Sequence, residues 1–245
     1  MANLLKSEIG PFPLPSFPQG IDLSAEDRRS RHLLYPVTVL YPLYLAVLLA
    51  FAVRSAHGAR ALAFTALGLA AWTLLEYLVH RHILHGVFPK RRSLVSQALH
   101  YMFDGSHANH HARPWDGRHI NGHLDTLYVA VVAMPLSLLA PSSTASVFVG
   151  AVFTCYVVEE WAHHAFHFWN FKWRYFQYAR GRHLYHHSRH GVGIAYGVTS
   201  GLWDVAYGTR IPARERSLLP HWPTSKGPFA EKASSRSADL SAHEA

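Results

Sequence analysis

Apolar residues run almost unbroken through residues 33–53, 61–79, 124–139 and 143–158, while polar residues gather between these runs and at the chain ends. At about 1.5 Å per residue the first run covers a hydrocarbon core of roughly 30 Å. The links 54–60 and 140–142 are short, so the runs pair as antiparallel hairpins. The expected fold is all-α and integral to a membrane: four transmembrane helices in two hairpins, with the middle and C-terminal polar segments forming a histidine-rich helical cap on one side. The third run is the shortest and contains Pro135, so a buried or re-entrant helix is the alternative there. Pro42 falls inside the first run, where it should kink the helix in a way neighbouring helices can accommodate.

Three stretches follow from this pattern. Residues 1–32 read as an N-terminal arm, with four prolines between Pro11 and Pro18 and then a charged segment; no apolar core follows a basic start, so it is not a signal peptide. Residues 33–212 form the membrane domain. Residues 213–245, rich in Ser, Ala and charges, read as a disordered polar tail.

Charge orients the domain. The formal net charge is +8, yet no Lys/Arg stripe with interleaved polar residues is present, which argues against nucleic acid as a partner. The basic residues sit at the ends of apolar runs instead. Lys90, Arg91, Arg92, Arg113, Arg118, Lys172, Arg174, Arg180, Arg182 and Arg189 lie on the side shared by the middle and C-terminal segments, against Arg54 and Arg60 opposite. The positive-inside rule therefore puts the cap in the cytoplasm, at the inner membrane of a bacterium or the endoplasmic reticulum of a eukaryote. Cys155 is the only cysteine, which excludes an intramolecular disulfide and a thiolate metal site.

The candidate chemistry lies in the 20 histidines, most of them between His80 and His190. They fall into four spaced sets: His80 and His85; His107, His110 and His111; His163 and His167; His183, His186 and His187. His80 and His85 would be about 140° apart on a regular helix, so both face one centre only if the helix ends or bends between them, and Gly86 and Pro89 supply a stop. In each His-x-x-His-His set the first residue shares a helical face with a later one, while the third looks toward a neighbouring site. One short helix can thus serve two metals. Ten imidazoles exceed a four-ligand structural zinc site, and two metals sharing the set is the economical reading; imidazole alone suits zinc, copper, iron and nickel. Glu160, one turn before His163 and His164, is placed to orient a ring N–H. His32, His57, His221 and His243 read as surface residues, and His82, His100, His164 and His190 receive no role.

The order of these boxes, with Glu76-Tyr77 before the first and Gly197-Val198-Thr199 through Leu202-Trp203-Asp204 after the last, resembles the fatty acid hydroxylase / sterol desaturase superfamily over roughly residues 76–209, and its fatty acid 2-hydroxylase branch in particular. The resemblance implies a membrane oxidoreductase that uses O2 and two electrons to hydroxylate an unactivated C–H bond of a lipid, most naturally a fatty acyl chain. It implies two iron ions on the ten histidines, which zinc can replace in the purified protein, and Glu76, Glu160 and Asp204 as supporting carboxylates. A separate electron donor, cytochrome b5-like or a ferredoxin, is also implied, since no fused cytochrome b5 domain is present. Sterol or carotenoid hydroxylation or desaturation on the same scaffold, and a membrane metal-binding or transport protein, are the alternatives.

Overall fold

A computed structural model describes residues 20–89, 91–120, 125–216 and 219. Among these residues every regular element is a helix, with no strand. Helix α1 (Leu23–Arg54) starts ten residues before the first apolar run, because Asp22 caps it, its carboxylate accepting from the backbone of Ser24 at 2.9 Å and Ala25 at 3.3 Å. Ion pairs Glu26–Arg29 and Asp27–Arg31 close the first turns. Residues 23–32, expected as part of an arm, are therefore helix; residues 1–19 of that arm lie outside the described residues. Pro36 and Pro42 both sit inside α1.

Helix α2 (Gly58–Leu78) returns antiparallel and runs straight into a π-helical turn, Val79–Leu84. Two short helices follow, α3 (Leu94–Leu99) and, after a second π turn at His100–Gly105, α4 (Ser106–Ala112). Then come α5 (Asp125–Ser137), the long α6 (Val147–Phe168), α7 (Arg174–His186) and the five-residue α8 (Leu202–Ala206). The tail expected over 213–245 lies outside the described residues, apart from a short helix at Ala213–Arg216 and Leu219.

Three segments are long and apolar enough to cross a membrane: Leu23–Arg54, Gly58–Leu84 and Ser142–Phe168. Of the four expected spans, the third is the exception. Its run yields the 13-residue α5, about 20 Å long, because Pro135 and the break after Ser137 cut it short. Exposed Val39, Leu43, Val47 and Phe51 on α1, Leu62 and Leu67 on α2, and Val131, Val132 and Leu136 on α5 form an apolar outer belt. Such a surface suits lipid and not water.

Helix α6 is the axis of the bundle. Tyr41 of α1 packs on Phe153 of α6 at 4.9 Å between ring centres, within a cluster of Leu34, Val37, Met134 and Val157. Lower down, Leu48 and Ala52 meet Ala61 and Val147. Glycine lets α2 approach: a Cβ on Gly68 would stand 2.8 Å from both the Ala151 Cβ and the Phe148 carbonyl oxygen. Gly68→Val is therefore expected to wedge α2 from α6 and cost about 1–3 kcal/mol, read as a lower melting temperature in detergent.

Candidate metal centre

The cap and the helix ends bring the ten spaced histidines together in two groups. His80, His85, His107, His111 and His186 form one; His110, His163, His167, His183 and His187 form the other; in each, one ligand nitrogen per residue lies within 4.8 Å of all the rest. Local structure explains how each set reaches its place. The π turn solves the 140° problem: the His85 backbone N–H donates to the His80 carbonyl five residues back, at 3.1 Å, and this wider turn puts positions i and i+5 on one face. Gly86 must follow, since a Cβ there would fall 2.6 Å from the His82 carbonyl oxygen.

The two His-x-x-His-His sets cross between the groups. On α4, His107 and His111 are four residues apart and share a face, so they join the first group, while His110 turns to the second. On α7, His183 and His187 join the second group and His186 turns to the first. Each short helix thus serves both groups.

The chemistry of the donor set fits metal ions. His186 Nδ1 donates to the Ile194 carbonyl at 2.8 Å and His80 Nδ1 to that of Tyr196, so the Nε2 atoms of both rings carry lone pairs toward the centre. His80 Nε2 is buried with no hydrogen-bond partner. The other nitrogens crowd face to face: His85 and His186 at 2.9 Å, His85 and His107 at 3.0 Å, His107 and His111 at 3.1 Å. In the second group His110 and His163 stand at 2.9 Å, His167 and His183 at 2.8 Å, and His183 and His187 at 3.1 Å. A neutral imidazole has one donor and one acceptor nitrogen, so five convergent Nε2 atoms cannot satisfy one another. These separations are about those of neighbouring ligands at right angles around an ion with metal–nitrogen bonds of about 2.1 Å.

Electrostatics point the same way. Burial, reinforced by neighbouring imidazoles, holds His107, His110, His183 and His187 well below the usual histidine range, and burial takes His85 and His186 down to about 4. At neutral pH these rings keep their lone pairs. In chelator-treated protein the unfolded chain takes up protons below about pH 6.5 that the folded rings refuse, so stability is present above that value and is lost as pH falls toward 4. Melting curves of the metal-free protein recorded between about pH 7 and pH 5 are expected to move steadily downward.

The carboxylates act at one remove. Glu76 accepts from the Thr199 backbone N–H at 2.8 Å and from its hydroxyl. Asp204 accepts from the backbone N–H of Tyr196 at 2.8 Å, the residue whose carbonyl holds His80. Both fix the loop that orients the rings. Glu160 was expected to take a ring N–H from His163 or His164. His164 sits between Ser30 Oγ at 2.8 Å and Asp27 at 3.0 Å, and Glu160 lines the cavity described below. Asp27 also accepts from Trp169 Nε1 at 3.0 Å. No sequence pattern marks this clamp, since the partners are 137 and 142 residues apart. Asp27→Ala is expected to lower stability by about 1–3 kcal/mol in a thermal melt while the bound metal per protein stays unchanged, which separates support from ligation.

The remaining described histidines fall outside both groups: His100 binds the Phe88 carbonyl at 2.8 Å, His190 lies 3.7 Å from Glu215, and His82 is exposed. His119, paired with Asp116 at 2.9 Å, lines the cavity and was missed; its signal was the acidic residue three positions earlier.

A cavity of about 370 Å³ connects the membrane helices to both groups. Its apolar wall includes Trp72, Leu75, Val79, Val129, Val152 and Phe153, and it ends on His80 and His107 of one group and His163 and His183 of the other.

Comparison with known proteins then places the chain. The family model described as fatty acid hydroxylase matches residues 65–209. The chain belongs to the fatty acid hydroxylase family. A dihydroceramide fatty acyl 2-hydroxylase of Arabidopsis thaliana is 33% identical over 148 residues, covering 59% of this chain and 59% of that protein. A fatty acid 2-hydroxylase of Rattus norvegicus is 30% identical over 149 residues, covering 60% and 39%. The solved structure of full-length scs7p, in which only the hydroxylase domain is visible, superposes with a TM-score of 0.61 at 23% identity, over 73% of this chain and 67% of that one. The match to these curated relatives thus spans less than two thirds of their length, and the structural likeness carries the fold of this fatty acid hydroxylase family member.

Proposed function

We propose that this fatty acid hydroxylase family protein is a membrane oxidoreductase that hydroxylates an unactivated C–H bond of a lipid, in the first instance a fatty acyl chain. It does so with O2 and two electrons from a separate donor protein, cytochrome b5-like or a ferredoxin. The carrying observation is the apolar cavity, which reaches from the bilayer helices to the histidines of both groups. Two iron ions on the ten histidines would supply the oxygen-activating, two-electron chemistry that such a bond requires. The chain's own part is positional. Leu75, Val79, Val152 and Phe153 exclude water and hold an alkyl chain in one channel, and the rings of His80 and His163 mark where its reacting carbon stops.

The topology supports this placement. Helix α6 begins beside Ala52 and Ala61, at the end opposite the histidines, and finishes among them. A fourth passage between α4 and α6, with the 13-residue α5 as its apolar core, fits this polarity. The excess of arginine and lysine on the histidine side supports a cytoplasmic position for that side. A metal transporter would need ligands spread through the depth of the bilayer, whereas here they collect at one end. The test is lipid analysis of cells with and without the gene. An oxygen-dependent gain of one oxygen on an acyl chain is expected; a loss of two hydrogens would indicate desaturation, an oxidised sterol or carotenoid would replace the acyl substrate, and an unchanged lipid profile would overturn the reading.

A further inference from the structure

On the far side of the loop that holds His80 and His186, a second hollow of about 30 Å³ opens between α7, Ala195 and α8. Arg182, Arg210 and Arg216 line it, with Asp204 the only carboxylate among the described residues that line it. That carboxylate is already engaged. Its Oδ1 accepts from the Tyr196 N–H at 2.8 Å and the Thr209 hydroxyl at 2.9 Å, and its Oδ2 from Arg182 Nη2 at 2.6 Å and the Gly197 N–H at 3.1 Å. Four donors use the lone pairs a carboxylate offers.

Arg182 is 3% exposed, and its Nη2 also donates to the Gly197 carbonyl at 3.0 Å. Its Nη1 is buried with no hydrogen-bond partner. Arg210 is exposed at the rim and makes no ion pair with a described residue. Gly201 keeps one wall open: a Cβ there would stand 3.0 Å from Arg182 Cζ and 3.1 Å from Nε. Among the described residues the hollow thus presents the Arg182 Nη1 donor and the Arg210 guanidinium beside a carboxylate that is already engaged, in a space that admits about one oxygen atom of a larger group.

Its mouth adjoins an apolar and aromatic surface at the end of a membrane-length helix. Helix α8 rests on the end of α2, with Trp203 Nε1 donating to Thr73 Oγ1 at 3.2 Å and Tyr207 stacked on Tyr77 at 5.1 Å. Leu202, Val205 and Tyr207 of this segment are exposed beside the membrane span, and Val205 also lines the hollow. An apolar and aromatic rim next to buried guanidinium is the arrangement of a membrane interface.

We propose that this hollow is a binding site for a phosphate-class oxyanion, placed to take the headgroup phosphate of an anionic membrane lipid. One oxygen inserts toward Arg182 Nη1, and Arg210 meets the remaining charge at the rim. The site is separate from the histidine groups and stands whether or not the protein hydroxylates lipids.

The test uses the full-length, metal-loaded protein in vesicles of phosphatidylcholine alone or of equal parts phosphatidylcholine and phosphatidylglycerol, with inorganic phosphate as a third arm. Phosphatidylglycerol is expected to raise the melting temperature of the wild type by about 2–4 °C. Arg210→Gln should abolish that shift without changing the value in phosphatidylcholine, and Arg91→Gln, a rim charge removed elsewhere on the same side, should keep it. A shift from inorganic phosphate that depends on Arg210, with none from phosphatidylglycerol, would keep the oxyanion site and overturn its lipid occupant. Shifts equal in wild type and Arg210→Gln, loss in Arg91→Gln as well, or no shift with either probe would overturn the site.

Discussion

Substituting His111 by alanine is expected to strip metal from one group, while His110→Ala, one residue away, strips it from the other. The partition on α4 is the reason: His111 Nε2 faces His107, and His110 Nε2 faces His163. The wild-type protein should carry about two metal equivalents, and each single variant about one. Double variants sharpen the point. His107→Ala with His111→Ala removes two ligands from one group and should leave the second ion in place; His110→Ala with His111→Ala should lose both. Turnover should fall by at least about 100-fold in every case, since even groups that merely orient a ligand cost 10–100-fold. Metal analysis of the purified protein reads the first effect and oxygen-dependent product the second. Two equivalents retained in His110→Ala, with full turnover, would remove the ten-histidine centre from the proposal.

Much of this arrangement was legible in the chain. Fold class followed from long apolar runs, and the family from the order of the boxes. The ten histidines picked out by spacing are the ten gathered into two groups, because an interval of three or four residues dictates facing on any helix. The first box was harder. An interval of five is wrong for an α-helix, and the π turn that makes it right leaves no compositional trace. Long-range partners were silent too: the carbonyls of Ile194 and Tyr196 belong to the backbone, and Asp27 and Ser30 reach His164 only because α1 lies against α6. The short α5 was overestimated because hydropathy counts residues and not the break after Ser137.

Asp204→Ala is expected to be the most destabilising single change outside the histidines. Arg182 is 3% exposed and Asp204 1%, and their oxygen and nitrogen meet at 2.6 Å, so removing the carboxylate strands a guanidinium away from water. Breaking a buried pair from one side costs about 3–5 kcal/mol, a large part of the 5–15 kcal/mol that holds a domain together. The loss spreads further than the pair. Asp204 also holds the N–H groups of Tyr196 and Gly197, and the Tyr196 carbonyl accepts from His80. Membrane yield and melting temperature should therefore fall together, and whatever protein survives should bind less metal at the group containing His80. Pairing the change with Arg182→Met separates the two contributions. The double variant no longer buries a charge and should recover part of the stability, but the Tyr196 N–H is still without its acceptor, so the metal deficit should remain. Full recovery of both would mean that the carboxylate serves Arg182 alone, and no recovery of either would place its whole effect in the loop from Ile194 to Thr199.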